Sequence, residues 1–526
     1  VRYFHTYSPS LIEKKYDAVI IGSGVSGLAT AIYLQKHGKK VLVLEQHNIP
    51  GGFTHTFHRK KFEWDIGVHY IGNLQENNSN LRETFAYLTN NRLQWQSMGS
   101  VYDKVIFGKE SFDFVAGLAA QKQNLLQYFP NEKVAIEKYY KLLFSFQGKV
   151  AMYFGEKAMP FWLSKSVGWL LRLPIQSSLK QTTHSVLSEF IKNEKLLYLL
   201  CAQCGNYGLP PKQSPFAIHA IVAGHYVDGG WYPIGGSAQI NLSMAEHFCE
   251  IGGTIACNAP VKKIVIKENV ATGVELESGD FIPSQITVST AGVHNTFNFL
   301  LQTENLFSEE REMFQKLKPS VSHVCVSVGL KKGDVALNLP KHNIWCFPHH
   351  NIDEALANYT DWKTQEPPLY YFSFPSAKDP RWQIENPEIS TIQIIVPSKY
   401  EWFTKWENTK WGRRGEEYEA VKESISSFVL QKMYEILPQT KGEVEMVDVS
   451  SPLSTKHFNN YAHGEIYGLE QSEQRFLNTN IRAHTKAKGL YLSGQDITCV
   501  GVGGALASAT VTASTILKKN LFGVKA

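Results

Sequence analysis

Residues 16–52 constrain the fold more than any other stretch of the chain. They open on a short apolar run, Ala18–Ile21, which reads as a buried strand. Gly22-Ser23-Gly24-Val25-Ser26-Gly27 follows, then a helical pattern that Gly38 stops, then a second apolar run, Val41–Leu44, ending in Glu45. Strand, G-x-G-x-x-G turn, helix, strand and acid, in that order, form the context a dinucleotide fingerprint requires. Gly22 permits the tight turn, Gly24 lets backbone N–H groups approach a pyrophosphate, and Gly27 allows helix and strand to pack closely. The helix N-terminus offers unpaired N–H groups and positive potential to phosphates. Glu45 can accept hydrogen bonds from ribose hydroxyls and would repel a 2′-phosphate, so FAD or NAD fits better than NADP.

The residues after Glu45 separate FAD from NAD. Gln46-His47-Asn48-Ile49-Pro50 leads into the pair Gly51-Gly52, followed by Phe53 and Thr54. Such a pair resembles the extension found in flavoproteins of the amine-oxidase and phytoene-desaturase superfamily, which ordinary NAD dehydrogenases lack; the resemblance implies a chain passing close to the flavin side of the cofactor. A second fingerprint for NAD(P)H is missing. Reduction of the flavin therefore falls to a carrier protein, a quinone, or NAD(P)H bound without a dedicated domain.

With 526 residues, of which 43% are hydrophobic and 19% charged, the chain is long enough for two or three domains and a sizeable core. A net charge of +5 with no Lys/Arg block excludes a nucleic-acid binder. Seven scattered cysteines form no disulfide framework. Cys201 and Cys204 make one C-x-x-C, but no second pair completes a zinc site, and two small buried residues are expected there. No metal cluster stands out. No signal peptide and no apolar run of transmembrane length is visible in these residues, so a cytoplasmic chain, or one peripheral on a membrane face, is expected.

Along the chain, helical periods dominate 80–200. The segment 159–173 is apolar and aromatic and carries Lys165 and Arg172. It reads as an interfacial membrane helix or as a buried roof over a hydrophobic tunnel. Residues 254–257, 261–267 and 271–276 read as strands, and 286–292 as a buried strand running into a glycine turn. The end returns to the first theme: an apolar strand, then Gly494 and Asp496, then Gly501 to Gly504 and Ala505 opening a helix. The expected fold is α/β: a discontinuous, Rossmann-like dinucleotide domain over 1–95, 230–300 and 482–526. Two insertions complete it, a helical one at 96–229 and an α+β substrate domain at 301–481.

Several long motifs, in order and spanning nearly the whole chain, carry a family resemblance. They include 51–57 with 62–72, 232–240, 288–297, 375–380, 463–468 and 490–496. The chain resembles the carotenoid desaturase and isomerase branch of the amine-oxidase and phytoene-desaturase flavoproteins, and within it the retinoid-saturating members. The resemblance implies non-covalent FAD, a hydrophobic polyene substrate of retinoid or carotenoid type, and association with a membrane face. It implies hydride transfer between flavin N5 and a carbon–carbon double bond, with saturation expected. Desaturation or cis–trans isomerisation on the same flavin, or a lipid-binding protein that keeps FAD without turnover, are the alternatives. Oligomeric state is not legible.

Cofactor contacts are expected at Gly22, Ser23, Gly24, Val25, Ser26, Gly27, Glu45, Gln46, His47, Gly51, Gly52, Phe53 and Thr54. The later segments add Ala291, Gly292, Gly494, Gly503, Gly504 and Ala505. By fold analogy the backbone of Val261 lies beside the adenine, and Asp496 bonds the ribityl or pyrophosphate end. Saturating a double bond also needs a proton. Tyr70 and His69, on a motif the resemblance places near the flavin, are the first candidates to deliver it, and His55 is a second. The plainer alternative has Tyr70 packing and His69 bonding a backbone carbonyl.

Overall fold

The computed structural model describes residues 3–12, 14–76 and 79–524, so the outermost ends of the first domain fall outside it. Six parallel strands form the nucleotide sheet. From edge to edge they are His5–Thr6, Thr254–Cys257, Val41–Leu44, Ala18–Ile21, Ile286–Ser289 and Leu490–Leu492. Ala18–Ile21 and Val41–Leu44 are buried at every position, as strands covered on both faces must be. Helix Val25–Lys36 packs against helix Gly501–Leu517 and helix Ala238–Glu250. Chain segments more than 200 residues apart thus build one layer.

The second sheet has seven strands, in the order Val444–Ser450, Ser322–Leu330, Ser390–Ser398, Tyr370–Ser373, Asn343–Phe347, Val101–Phe107 and Glu110–Val115. Its two faces differ. Val324, Val326, Val328, Ile392, Ile394 and Phe372 face helix Glu416–Ile436, packing with its Val421, Ile425, Val429 and Met433. The opposite face carries Trp345, Tyr371, Ile395, Cys325 and Ser450, each opposite the next on neighbouring strands. A strand points alternate residues to opposite sides, so a single period-2 pattern produces an aliphatic outer face and a mixed inner one.

The segment 96–229 differs from the expected helical insertion. Its first two strands join the sheet of the 301–481 segment, with Asp103 directly opposite Asn343. The sequence Val101–Phe107 holds an aspartate and a lysine; its strand pairs on one side with its hairpin neighbour Glu110–Val115 and on the other with the distant strand Asn343–Phe347. Beyond these strands it is helical.

Helix Phe161–Lys180 lies on the surface rather than as a buried roof. Ser164, Gly168, Ile175 and Leu179 face inward, whereas Trp162 (71% exposed), Trp169 (53%), Leu170 and Leu173 face out. A polar knot pins the inner face. Arg172 donates to Glu156 at 2.7 Å, Arg482 donates to Ser164 at 2.5 Å, and Ser164 donates to Glu156. Among the described residues no helix is long and apolar enough to cross a membrane. Cys201 and Cys204 are buried free thiols in the core, and burial pushes both up.

Candidate functional site

The cradle forms where strand Ala18–Ile21 turns into helix Val25–Lys36. Gly22 adopts φ +96°, and a methyl there would lie 2.5 Å from the Thr290 hydroxyl. A methyl on Gly27 would collide with the Gly22 carbonyl. Gly24 differs: nothing lies within 4 Å of the place its side chain would occupy. Two of the glycines are therefore needed by the protein, and the third keeps space open for a ligand.

Glu45 closes the cradle. Its carboxylate accepts from the Ser23 N–H at 2.9 Å, the Ser23 hydroxyl at 2.5 Å and the His47 N–H at 2.8 Å. Ser23 in turn accepts from the Gly51 N–H at 3.2 Å. The acid at the end of the second strand thus ties the glycine turn to the Gly51-Gly52 pair. Gly51 and Gly52 have φ +148° and +56°, and Gly51 lies flat against the His55 ring. The N-terminus of helix Gly501–Leu517 approaches from another side with Gly503, Gly504 and Ala505, and Ala291, Gly494 and Val261 border the same space.

All of these residues line one cavity of about 2070 Å³, together with Val25, Ser26, Gln46, Phe53 and Thr54. Pockets for one ligand usually run to about 300–1,000 Å³. This one has room for a dinucleotide and a second molecule side by side. The open Gly24 position, two helix N-termini and a ribose-height acid on the first wall fit a dinucleotide.

Two expected contacts lie elsewhere. Asp496 is buried behind the cavity wall, its carboxylate accepting from the Val293 and Leu469 N–H groups at 2.8 Å each. Gly292 packs against that carboxylate and also misses the cavity. The neighbouring Gln495 is the residue that faces in, with its amide 3.2 Å from the Tyr461 hydroxyl. In a turn, side chains one residue apart point in different directions, so the fold analogy that expects Asp496 at the cofactor falls one residue from Gln495, which faces in. Asn295 and Thr290, also on the wall, carried no sequence signal.

The three candidate proton-handling residues all border the cavity. Tyr70 stacks on Tyr226 with ring centres 4.4 Å apart, and its hydroxyl donates to Asp103 at 2.8 Å and accepts from Asn206 at 3.1 Å. Its hydrogen is thus held by a carboxylate and turned away from the cavity. Asp103 also accepts from Gln203 and Asn343, and burial pushes its carboxyl up to about 6. Neither ring nitrogen of His69 has a partner, so the backbone-carbonyl bond expected as its plainer role is not made. Burial, with the Lys378 charge, brings the His69 imidazole down to about 3. Lys378 donates to the His69 carbonyl at 3.0 Å, to Ser373 at 2.8 Å and to Asn343, and burial lowers its ammonium to about 7. His55 is lowered by burial and by His47, and its Nε2 is unpartnered. Asp65 is structural, accepting from Tyr232 at 2.6 Å and the Ser237 N–H at 2.9 Å.

Beyond the cradle the wall changes character. Val150, Ala151 and Phe154 of helix Gln147–Glu156, with Ile221, Leu300, Leu356 and the inner face of the seven-stranded sheet, enclose the remaining space. Among the described residues no group of three or more His, Cys, Asp or Glu side chains is placed to hold a metal.

Comparison with known proteins gives three results. Residues 20–88 match the model of an NAD(P)-binding Rossmann-like domain. Over 538 aligned residues the chain is 34% identical to all-trans-retinol 13,14-reductase of Danio rerio, covering 97% of this chain and 88% of that one. It is 26% identical to prolycopene isomerase 1 of an Oncidium hybrid cultivar, covering 96% and 85%. Among solved structures, putrescine oxidase bound to putrescine superposes with a TM-score of 0.63 at 15% identity, covering 96% of this chain and 100% of that one. The fold is shared, and the nucleotide-binding start is where the sequence placed it.

Proposed function

The chain belongs to the all-trans-retinol 13,14-reductase family, and from that premise we propose that it is an FAD-dependent oxidoreductase saturating a carbon–carbon double bond of a retinoid- or carotenoid-like polyene. The observation that carries the reading is the one cavity joining the dinucleotide cradle to a largely apolar space large enough for a second molecule. When bound, the flavin supplies the hydride; this chain supplies position, a dry site and a proton.

Gly24, Glu45, Gly51 and the Gly503-Gly504 helix start fix where the cofactor lies. His69 stays neutral at ordinary pH, so its ring offers one N–H and one lone pair to a water or substrate oxygen. Tyr70 is the acid candidate, with one condition. Its hydrogen is free for substrate only when Asp103 is protonated and itself donates to the Tyr70 oxygen. A carboxyl pushed up to about 6 makes that state accessible near neutral pH.

Helix Phe161–Lys180 supports contact with a membrane face. Its Trp162, Trp169, Leu170 and Leu173 side chains point outward, Lys165 flanks them, and the adjoining helix Gln147–Glu156 contributes directly to the cavity wall. An apolar substrate could then leave the lipid without crossing water.

The test is to photoreduce the FAD-loaded protein without oxygen and add polyenes. Reoxidised flavin and a product two mass units heavier support saturation. Unchanged mass with altered chromatographic retention supports isomerisation, the reading the prolycopene isomerase relative favours. Flavin that no polyene reoxidises, with product unchanged, leaves a lipid-binding flavoprotein.

A further inference from the structure

Lys378 is buried, 1% exposed, at the end of helix Pro375–Lys378. Desolvating an ammonium is costly, so a lysine kept inside calls for a reason. All three of its hydrogens are placed within the protein: on the His69 carbonyl at 3.0 Å, the Ser373 hydroxyl at 2.8 Å and the Asn343 side-chain carbonyl. The Asn343 amide then donates to Asp103 at 2.9 Å, and Asp103 accepts from Tyr70 at 2.8 Å. A buried cation thus reaches the Tyr70 hydroxyl through two side chains.

A free amide can be turned over, exchanging donor for acceptor. Lys378 removes that freedom at Asn343. An ammonium only donates, so the Asn343 oxygen faces it and the NH2 group faces Asp103. Gln203 also donates to Asp103, at 2.6 Å, and the Trp345 indole N–H, a donor only, bonds the same carboxylate. Of these partners Tyr70 is the one with a hydroxyl, which can accept as well as donate. We propose that Lys378 is a positioning residue for proton delivery, holding Asn343 as a fixed donor so that a protonated Asp103 has the Tyr70 oxygen as its acceptor. The inference rests on the reading of Tyr70 as the acid and adds the residue that sets its state.

The Tyr70 oxygen already accepts from Asn206 at 3.1 Å. Accepting from Asp103 as well fills its second lone pair and frees its hydrogen for the cavity. As the Tyr70 O–H bond breaks toward the substrate carbon, the Asp103 proton passes to the Tyr70 oxygen. The carboxylate is left ionised until it takes a proton from solvent. Asp65, His69 and His342 face Lys378, and its ammonium lies 5.7 Å from the Tyr232 ring centre. Burial keeps both histidines neutral. Tyr102, Tyr226 and Tyr371 face Asp103, and burial holds their hydrogens on. Lys104, next to Asp103 in its strand, points to the other face and pairs with Asp113 at 3.4 Å.

Two measurements on the FAD-loaded protein test the relay. Difference infrared spectroscopy titrates the C=O stretch of protonated Asp103, identified by its loss in Asp103→Asn. Over the same pH range, the rate at which a conjugated polyene alcohol reoxidises photoreduced flavin is followed. Lys378→Met keeps the side chain's length and removes its charge and donors. The Asp103 midpoint should rise by about one pH unit, as for a carboxyl losing a nearby cation. The rate below that midpoint should drop about tenfold, because the released Asn343 amide now offers its oxygen to the Asp103 proton. Adding Asn343→Leu removes that competing acceptor and should recover most of the loss. A structural role predicts the reverse: an unmoved midpoint, or a rate that the second substitution does not recover, and either result overturns the proposal. Should Lys378→Met alone lose FAD, the double variant is compared with Asn343→Leu. A rate within about threefold of that reference supports the relay, and a larger drop overturns it, since Lys378 would then act without the amide. If no polyene reoxidises the wild-type flavin, the reaction is rejected, and the infrared midpoints still decide whether Lys378 sets Asp103.

Discussion

Tyr70 donates its hydroxyl hydrogen to Asp103 at 2.8 Å, and Asp103 is wholly buried in strand Val101–Phe107. The acid candidate of the site is therefore governed by a carboxyl that titrates near neutral pH rather than by its own very high value. If Tyr70 delivers the proton, oxidation of reduced flavin by substrate should be fastest below about pH 6, where Asp103 is protonated, and fall as pH rises through that value. Tyr70→Phe should keep FAD and slow that step by about 10²–10⁴. A wild-type rate with a normal flavin spectrum would move the proton source to water held by His69 or to His55.

Gly24 and Gly27 should separate ligand binding from folding. Gly24→Val adds a side chain where the protein leaves open space at an ordinary backbone angle, so the variant should fold and be colourless. Gly27→Ala drives a methyl into the Gly22 carbonyl and should cost about 1–3 kcal/mol of stability. Absorbance at flavin wavelengths and thermal unfolding measure the two effects. A yellow, fully loaded Gly24→Val protein would defeat the cradle assignment.

The outward tryptophans make the membrane contact measurable. Replacing Trp162 and Trp169 with Asp should leave the fold intact, since both side chains are mostly in solvent. Co-sedimentation with phospholipid vesicles should drop. Undiminished sedimentation of the folded variant would assign the stripe another partner.

Buried histidines should make the fold acid-labile. Burial holds His69 and His219 down at about 3, and His225, His323 and His342 at about 4. Unfolded, each takes up a proton near 6.5, so the stability of keeping them neutral is present above that pH and is lost as pH falls toward 4. Asp103 and Asp334 at about 6, and Glu465 at about 7, act the opposite way, because their folded forms hold protons the unfolded chain releases. The five histidines outnumber the three carboxyls. The unfolding midpoint should fall between pH 6.5 and 4.5, read by circular dichroism. A flat or rising midpoint over that interval would contradict the balance.

The sequence alone determined the elements whose signal is local. Strand Ala18–Ile21, the glycine turn, Glu45 and helix Gly501–Leu517 are written in contiguous residues, because a turn conformation, a helix start and a fully buried strand each leave a mark within a few positions. The cradle half of the site was legible for that reason. The other half depends on side-chain direction and on distant neighbours. Asp103 lies in a segment that reads as an unremarkable mixed run until Asn343, Gln203 and Tyr70 surround it. Asp496 and Gln495 are adjacent in a turn, and only packing against Val293 and Leu469 decides which one faces the cavity. Trp345 and Tyr371 meet because two antiparallel strands align them, and His69 joins them from a loop near the start of the chain. Helix Phe161–Lys180 has an apolar pattern that fits either a buried or an exposed stripe, and the Glu156–Arg172–Arg482 knot decides which side turns out. Period and composition fix what an element is; which face meets a ligand is set by contacts between residues that the sequence keeps far apart.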